Sequence, residues 1–305
     1  MGECRLGKRF MAAIRIFLPT QLGRHERITG TIDDAGGPAM NHDDKLVRDY
    51  RLQIVERTFA VLRTFTAAQP QWSLDDLHQA LGINKTSLFR ILKTLESEGL
   101  VLHNDGTYML GGRVLELGQA FLGGLPVRDV AAHSVKELAE RTKQTVTLGV
   151  LQGLSVLYVA IERPQQDVGI LGHVGQRYPA HATALGKALL AFRDLDALAV
   201  ALRDTELERL THRTIADPTR LLRHLSKVRD DGYALDDEER GIGIRCVAAP
   251  IFDHTNAAVA SISVSGPIFY LTDDTLPQYT DQLRDSAERI SQELGHVRPP
   301  AAPSY

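Results

Sequence analysis

Two groups of residues in this sequence have the types and spacing to do chemistry. In the first, Lys85, Thr86, Ser87, Arg90 and Lys93 gather cations and hydroxyl donors within nine residues. Thr86, Arg90 and Lys93 recur at i, i+4 and i+7, so on a helix they share one face. Such a face can donate to phosphates and to purine edges, and the planar fork of Arg90 can pair with a guanine. Lys85 stands at the start of that helix, where backbone N–H groups also favour phosphate. His103, Asn104 and Thr107 follow on a predicted hairpin and can touch a nucleic-acid backbone or minor groove.

The second group is a polar set far downstream. Ser261, Ser263 and Ser265 alternate along a predicted strand, so they share one face and the last two hydroxyls can converge on one ligand. Cys246 lies on the preceding strand, and Asp236 is expected in a loop ahead of it, free to accept a ligand hydroxyl. A helix beginning near Thr183 offers the N–H groups of Ala184 and Leu185 to a carboxylate. Two other readings compete for these residues. Cys246 with His181 or His173 as base would make a nucleophile, and a ligand sensor would use its helices for protein contacts. Motifs for other chemistry are missing. There is no Gly-x-Ser-x-Gly elbow; Gly186-Lys187 lacks the flanks of a phosphate loop; Gly241-Ile242-Gly243 lacks a third glycine. The 11 histidines are scattered, so neither a metal nor a cofactor is expected.

These groups need elements to position them. Residues 1–45 lack periodicity and read as a flexible leader, within which Met11 and Met40 are possible alternative starts. Periodicity begins near Val47, and Val55, Phe59, Leu62 and Phe65 predict the core face of a first helix ending before Gln69-Pro70. Ser73, with Asp76 three residues on, caps a second helix whose apolar face is Leu74, Leu77 and Leu81. Gly82-Ile83-Asn84 breaks it, and Asn84 caps the third. That third helix buries Leu88, Ile91, Leu92 and Leu95, ends at Gly99, and leads into a hairpin over 100–110. Helix, short turn, helix and hairpin make a winged helix-turn-helix over 46–111.

Gly111-Gly112 opens a linker over 112–126 that contains a helix at 113–122, and a second domain spans 127–297. Its pattern predicts a helix at 127–142, strands at 145–151, 155–162 and 168–173, and helices at 182–192, 194–203 and 221–230. Strands at 242–252 and 257–265 and a long helix at 273–295 complete it, before a flexible tail at 298–305. The class is α+β, with a mostly antiparallel sheet covered by helices.

Charge restricts how this chain can hold DNA. Its 305 residues carry a formal net charge of −3, and residues 46–111 hold seven Lys/Arg against seven Asp/Glu. One copy should bind DNA weakly, because phosphate neutralisation drives affinity. Two copies on a two-fold site repair the deficit. Two cysteines are too few for a secreted disulfide framework, which favours a reducing, cytoplasmic setting. No apolar run approaches membrane-spanning length, and the short run from Phe10 to Pro19 carries Arg15.

The stretch Ser73–Val101, with Tyr108–Gly118 after it, resembles the DNA-binding domain of IclR-type bacterial transcription regulators. Gly175–Ala191, Asp231–Glu239 continuing to Gly243–Pro250, and Ala260–Pro267 resemble the effector domain of the same family. The resemblance implies a GAF/PAS-like effector domain whose ligand set is Asp236, Cys246, Ser263 and Ser265. Ala184 and Leu185 join it at the loop, with Ile170 and Tyr178 as apolar walls. It further implies a double-stranded DNA operator, a homodimer or dimer of dimers, and a small-molecule effector, expected to be an organic acid. Repressors and activators both occur in that family.

Overall fold

A computed structural model describes residues 52–163 and 172–297. The predicted leader and tail, Ile170 and most of the strand expected at 168–173 lie outside the described residues. The chain divides after Gly124 into two compact units.

In the first unit, α1 (Gln53–Thr64), α2 (Leu74–Leu81) and α3 (Lys85–Ser97) surround a core of Val61, Leu77, Leu88, Leu92 and Val101. Both caps form. Ser73 accepts from the Asp76 N–H while the Asp76 carboxylate accepts from the Ser73 N–H, and Asn84 Oδ1 accepts from the Ser87 N–H at 2.8 Å. Gly82 closes α2 at φ 65°, a left-handed conformation that favours glycine. The wing is β2 (Val101–Asn104) and β3 (Thr107–Leu110), turned at Asp105-Gly106, where both residues have positive φ as a two-residue hairpin demands. A short strand not anticipated from the sequence, β1 (Gln71–Ser73), pairs with β3 on its other side. Helix α4 (Arg113–Gly123) ends this unit.

One expectation about α1 is corrected. Val55 and Phe59 are 43% and 53% exposed, while Val61 is fully buried and Phe65 packs into the core from just beyond the helix. The helix carries apolar residues on two faces, and this unit covers one of them.

In the second unit a six-stranded antiparallel sheet runs β6-β5-β4-β9-β8-β7. Its strands are β4 (Thr145–Gln152), β5 (Ser155–Glu162), β6 (Arg177–Pro179), β7 (Ala234–Asp237), β8 (Ile244–Phe252) and β9 (Ala258–Pro267). Helices α5 (Pro126–Thr142) and α9 (Leu276–Glu293) pack together against one face. The other face is crossed by α6 (Ala184–Leu190), which touches β4, β7, β8 and β9, with α8 (Pro218–Asp231) behind it. A short helix, α7 (Leu195–Leu202), joins α6 to the segment before α8. The helix expected at 182–192 is shorter and is preceded by a 3₁₀ turn at Ala180–Ala182. Strands β6 and β7 were not expected, because runs of three or four residues carry too little alternation to read.

Among the described residues no helix is long and apolar enough to cross a membrane.

Candidate functional site

Helix α3 presents two faces, as its period requires. Leu88, Ile91, Leu92 and Leu95 are buried, while Lys85, Thr86, Arg90 and Lys93 are exposed and Ser87 is half-buried at the cap. In the free protein Lys85 pairs with Asp75 at 2.7 Å and Lys93 with Glu96 at 2.8 Å. Such exposed pairs contribute at most about 1 kcal/mol, so an arriving phosphate can displace them. Arg90 makes no ion pair among the described residues. On the wing, His103 stacks on Tyr108 across the strands at 4.3 Å between ring centroids. The Thr107 hydroxyl donates to the Asn104 carbonyl at 2.9 Å.

The polar set of the second unit meets on the face of the sheet that α6 crosses. Strand register puts Thr145, Ser265, Cys246 and Asp236 side by side across four strands, in one row. A second row places Thr147, Ser263 and Ala248 beside it, and a third places Gly149 against Ser261. Direct cross-strand partners share a face, so two rows of hydroxyl, thiol and carboxyl groups line one buried surface. Ser261 is used structurally, its hydroxyl donating to the Leu185 carbonyl at 3.0 Å. Asp236 does not lie in a loop, as expected from the sequence. It sits on edge strand β7 opposite Cys246, because four residues there pair with β8 before the chain turns.

Burial acts strongly on the ionisable groups of this surface. Asp236 is 1% exposed, and its Oδ1 accepts the N–H groups of Glu239 at 2.8 Å and Arg240 at 3.2 Å. Burial pushes its carboxyl up to about 6, against the opposing pull of the Lys187 ammonium. Burial, with Asp236 alongside, pushes the Cys246 thiol up to about 12, against the opposing pull of the neighbouring Ser265 hydroxyl. Lys187 is completely buried in α6, paired with Glu239 and bonded to the Leu235 carbonyl. Two tyrosines wall the site: Tyr158 and Tyr178 lie 5.0 Å apart between centroids, and burial raises the Tyr158 hydroxyl well above its ordinary value. The Arg240 guanidinium lies over the Tyr178 ring at 4.4 Å.

Of the expected ligand set, the structure brings Asp236, Cys246, Ser263 and Ser265 onto one face. It gives Tyr178 a guanidinium neighbour in place of a purely apolar role. Ala184 and Leu185 open α6, whose cap is Thr183, accepting from the Gly186 N–H at 3.1 Å. Thr145, Thr147, Tyr158, Lys187, Glu239 and Arg240 were not singled out from the sequence. The alternation Thr145-x-Thr147 repeats the Ser263-x-Ser265 pattern and was the available signal. Among the described residues, no group of three or more His, Cys, Asp or Glu could hold a metal ion.

Comparison with known proteins agrees with both halves. Residues 54–105 match the IclR helix-turn-helix domain, and residues 119–292 match the bacterial transcriptional regulator IclR C-terminal domain. The HTH-type transcriptional regulator XynR of Escherichia coli is 32% identical over 249 residues, covering 80% of this chain and 98% of XynR. The crystal structure of a putative transcriptional regulator from Rhodococcus sp. RHA1 is 30% identical with a TM-score of 0.71, covering 80% of this chain and 99% of that one. An IclR homolog from Microbacterium hydrocarbonoxydans, complexed with 4-hydroxybenzoate, shares the fold at 23% identity and a TM-score of 0.70, with 80% and 99% coverage. With the helix-turn-helix and C-terminal domains of that family matched in order, this chain belongs to the IclR family of helix-turn-helix transcription regulators.

Proposed function

We propose that this regulator holds its operator as a dimer, one α3 in each of two major grooves, and that a small organic acid bound over the Thr145–Ser265–Cys246–Asp236 row sets its affinity. In each copy Arg90 reads a guanine, Lys85, Thr86, Ser87 and Lys93 hold phosphates or base edges, and His103, Asn104 and Thr107 follow the backbone from the wing.

The row of polar groups carries the ligand reading. Burying hydroxyl and carboxyl groups at the centre of a sheet is costly unless something bonds to them. Thr145, Thr147 and Ser263 are buried residues whose hydroxyls make no hydrogen bond among the described residues, so they remain available to a ligand. A ligand hydroxyl can donate to Asp236 while its carboxylate accepts from Ser263, Ser265 and the opening N–H groups of Ala184 and Leu185. The 4-hydroxybenzoate of the Microbacterium homolog belongs to that class of compound. Ile170, outside the described residues, is a further candidate wall.

Nothing favours Cys246 as a nucleophile. Burial holds its thiol protonated, and a thiol is a poor nucleophile compared with a thiolate. His181, the nearer candidate base by sequence, is occupied by the Glu208 carbonyl at 2.9 Å.

The test is anisotropy of a labelled fragment from the gene's own upstream region, titrated at fixed salt with wild type and Arg90→Ala. Wild type should bind tightly, and the variant should lose about 10-fold or more per half-site. Small organic acids should then shift the wild-type curve. Equal, weak binding by both proteins that salt erases would sink the operator reading.

A further inference from the structure

The outward face of α3 contains one residue that neither the fold nor the phosphate contacts require. Phe89 is 46% exposed, between Arg90 on one side and Thr86 and Lys93 one turn away. It takes no part in the core of its unit, which uses Leu88, Ile91, Leu92 and Leu95 from the same helix. The Lys93 ammonium lies 5.9 Å from its ring centroid, so the aromatic is set among cations.

That setting decides what the ring can meet. A protein partner would seek a wider apolar patch, but the exposed residues one turn from Phe89 are Lys85, Thr86 and Lys93. A second copy of this face would set cations against cations. Lys85, Arg90 and Lys93 instead suit a polyanion, and within the major groove the apolar group on offer is the C5-methyl of thymine.

We propose that Phe89 is a specificity-determining residue that reads thymine, its ring packing on the 5-methyl group of a base neighbouring the one Arg90 reads. At 100° per residue Phe89 and Arg90 fall in the same outward arc as Lys85, Thr86 and Lys93, so both side chains can enter one groove. The inference rests on the reading that α3 enters the major groove. It adds to that reading an apolar contact, independent of charge and therefore of salt.

The experiment starts by selecting bound duplexes from a random pool with the full chain. Each thymine of the selected site is then replaced in turn by uracil, which removes the methyl group and leaves every hydrogen-bonding group unchanged. Wild type should lose about fourfold in affinity per half-site at one symmetric thymine, the worth of one buried methyl. Phe89→Ala, checked by its melting temperature to be folded, should bind thymine and uracil duplexes equally. Two outcomes overturn the inference while leaving the operator reading intact. One is uracil tolerated at every position although Arg90→Ala still abolishes specific binding. The other is a uracil penalty that persists undiminished in Phe89→Ala. If no duplex is enriched, and Arg90→Ala binds like wild type, the operator reading fails and this inference falls with it.

Discussion

Asp236 is the residue at which stability and function oppose each other most directly. Its carboxyl is buried and makes no ion pair among the described residues, and its folded-state value of about 6 lies above the 3.8 of an unperturbed aspartate. A carboxyl raised in this way favours the folded state fully below pH ~4, and that contribution is lost as pH climbs through 6. At pH 8 the ionised group therefore costs on the order of 3 kcal/mol. Asp236→Asn keeps an acceptor for the Glu239 and Arg240 N–H groups and removes the charge. It should melt above wild type at pH 8, with the two curves converging below pH 4. A difference that does not change with pH would mean the carboxyl is not held in this way. Strongly perturbed groups of this kind cluster at functional sites, and a ligand hydroxyl donating to Asp236 would relieve the same cost.

At the level of elements, the cap and the close approach matter more than helix propensity. Asn84 orients the start of α3 through its bond to the Ser87 N–H, and Asn84→Ala should cost about 1 kcal/mol in urea unfolding. Helix α6 can lie against the 3₁₀ turn only because residue 186 is glycine. A Cβ there would stand 2.3 Å from both the Cα and the carbonyl oxygen of Ala180. Main chain cannot step aside as a side-chain tip can, so Gly186→Ala should destabilise by about 1–3 kcal/mol and disturb the N–H groups at the head of α6. Gly118, in the middle of α4, meets nothing within 4 Å. Gly118→Ala should therefore stabilise by up to about 1 kcal/mol. If both alanines behaved alike in denaturant melts, backbone proximity would not be the cause of the first.

For the whole molecule, charge and exposed apolar surface point the same way. Residues 46–111 carry as many acids as bases, so a single copy has little net attraction for a phosphate backbone. The first unit meanwhile leaves Val55 and Phe59 on α1, and Leu115, Leu117 and Phe121 on α4, in contact with water. A second copy covering such residues would double the cationic helices on a two-fold operator. Leu117→Glu combined with Phe121→Glu should slow sedimentation towards the monomer and weaken operator binding well beyond what two added charges do. A variant that sediments as wild type does would place the contact elsewhere. Effector coupling belongs at this scale too, since a ligand shifts operator affinity only by its differential affinity for the two states of the assembly.

Much of this architecture was legible before any tertiary contact was known, and the reason is range. Caps at Ser73 and Asn84, the leucine stripe of α3, the Asp105-Gly106 turn region and the long strands β4, β5, β8 and β9 all arise from neighbours a few residues apart. Periodicity and turn chemistry record such neighbours directly. The same local patterns carried the winged helix-turn-helix and the outward placing of Arg90, and the resemblance built on them named Asp236, Cys246, Ser263 and Ser265, which the sheet brings onto one face. What only the tertiary structure decided was pairing over long separations. The row from Thr145 to Asp236 depends on the register of β4 on β9 and of β7 on β8, which no local pattern records. Nothing local to Lys187 records that Glu239, 52 residues on, is brought against it in the interior. Tyr178 reads as an apolar wall until Arg240 is laid over its ring. Phe59 reads as core because a helix with two apolar faces does not say which one its own unit will cover. Local sequence sets what each element can be; burial, and the desolvation that comes with it, decides which of its side chains are left for chemistry.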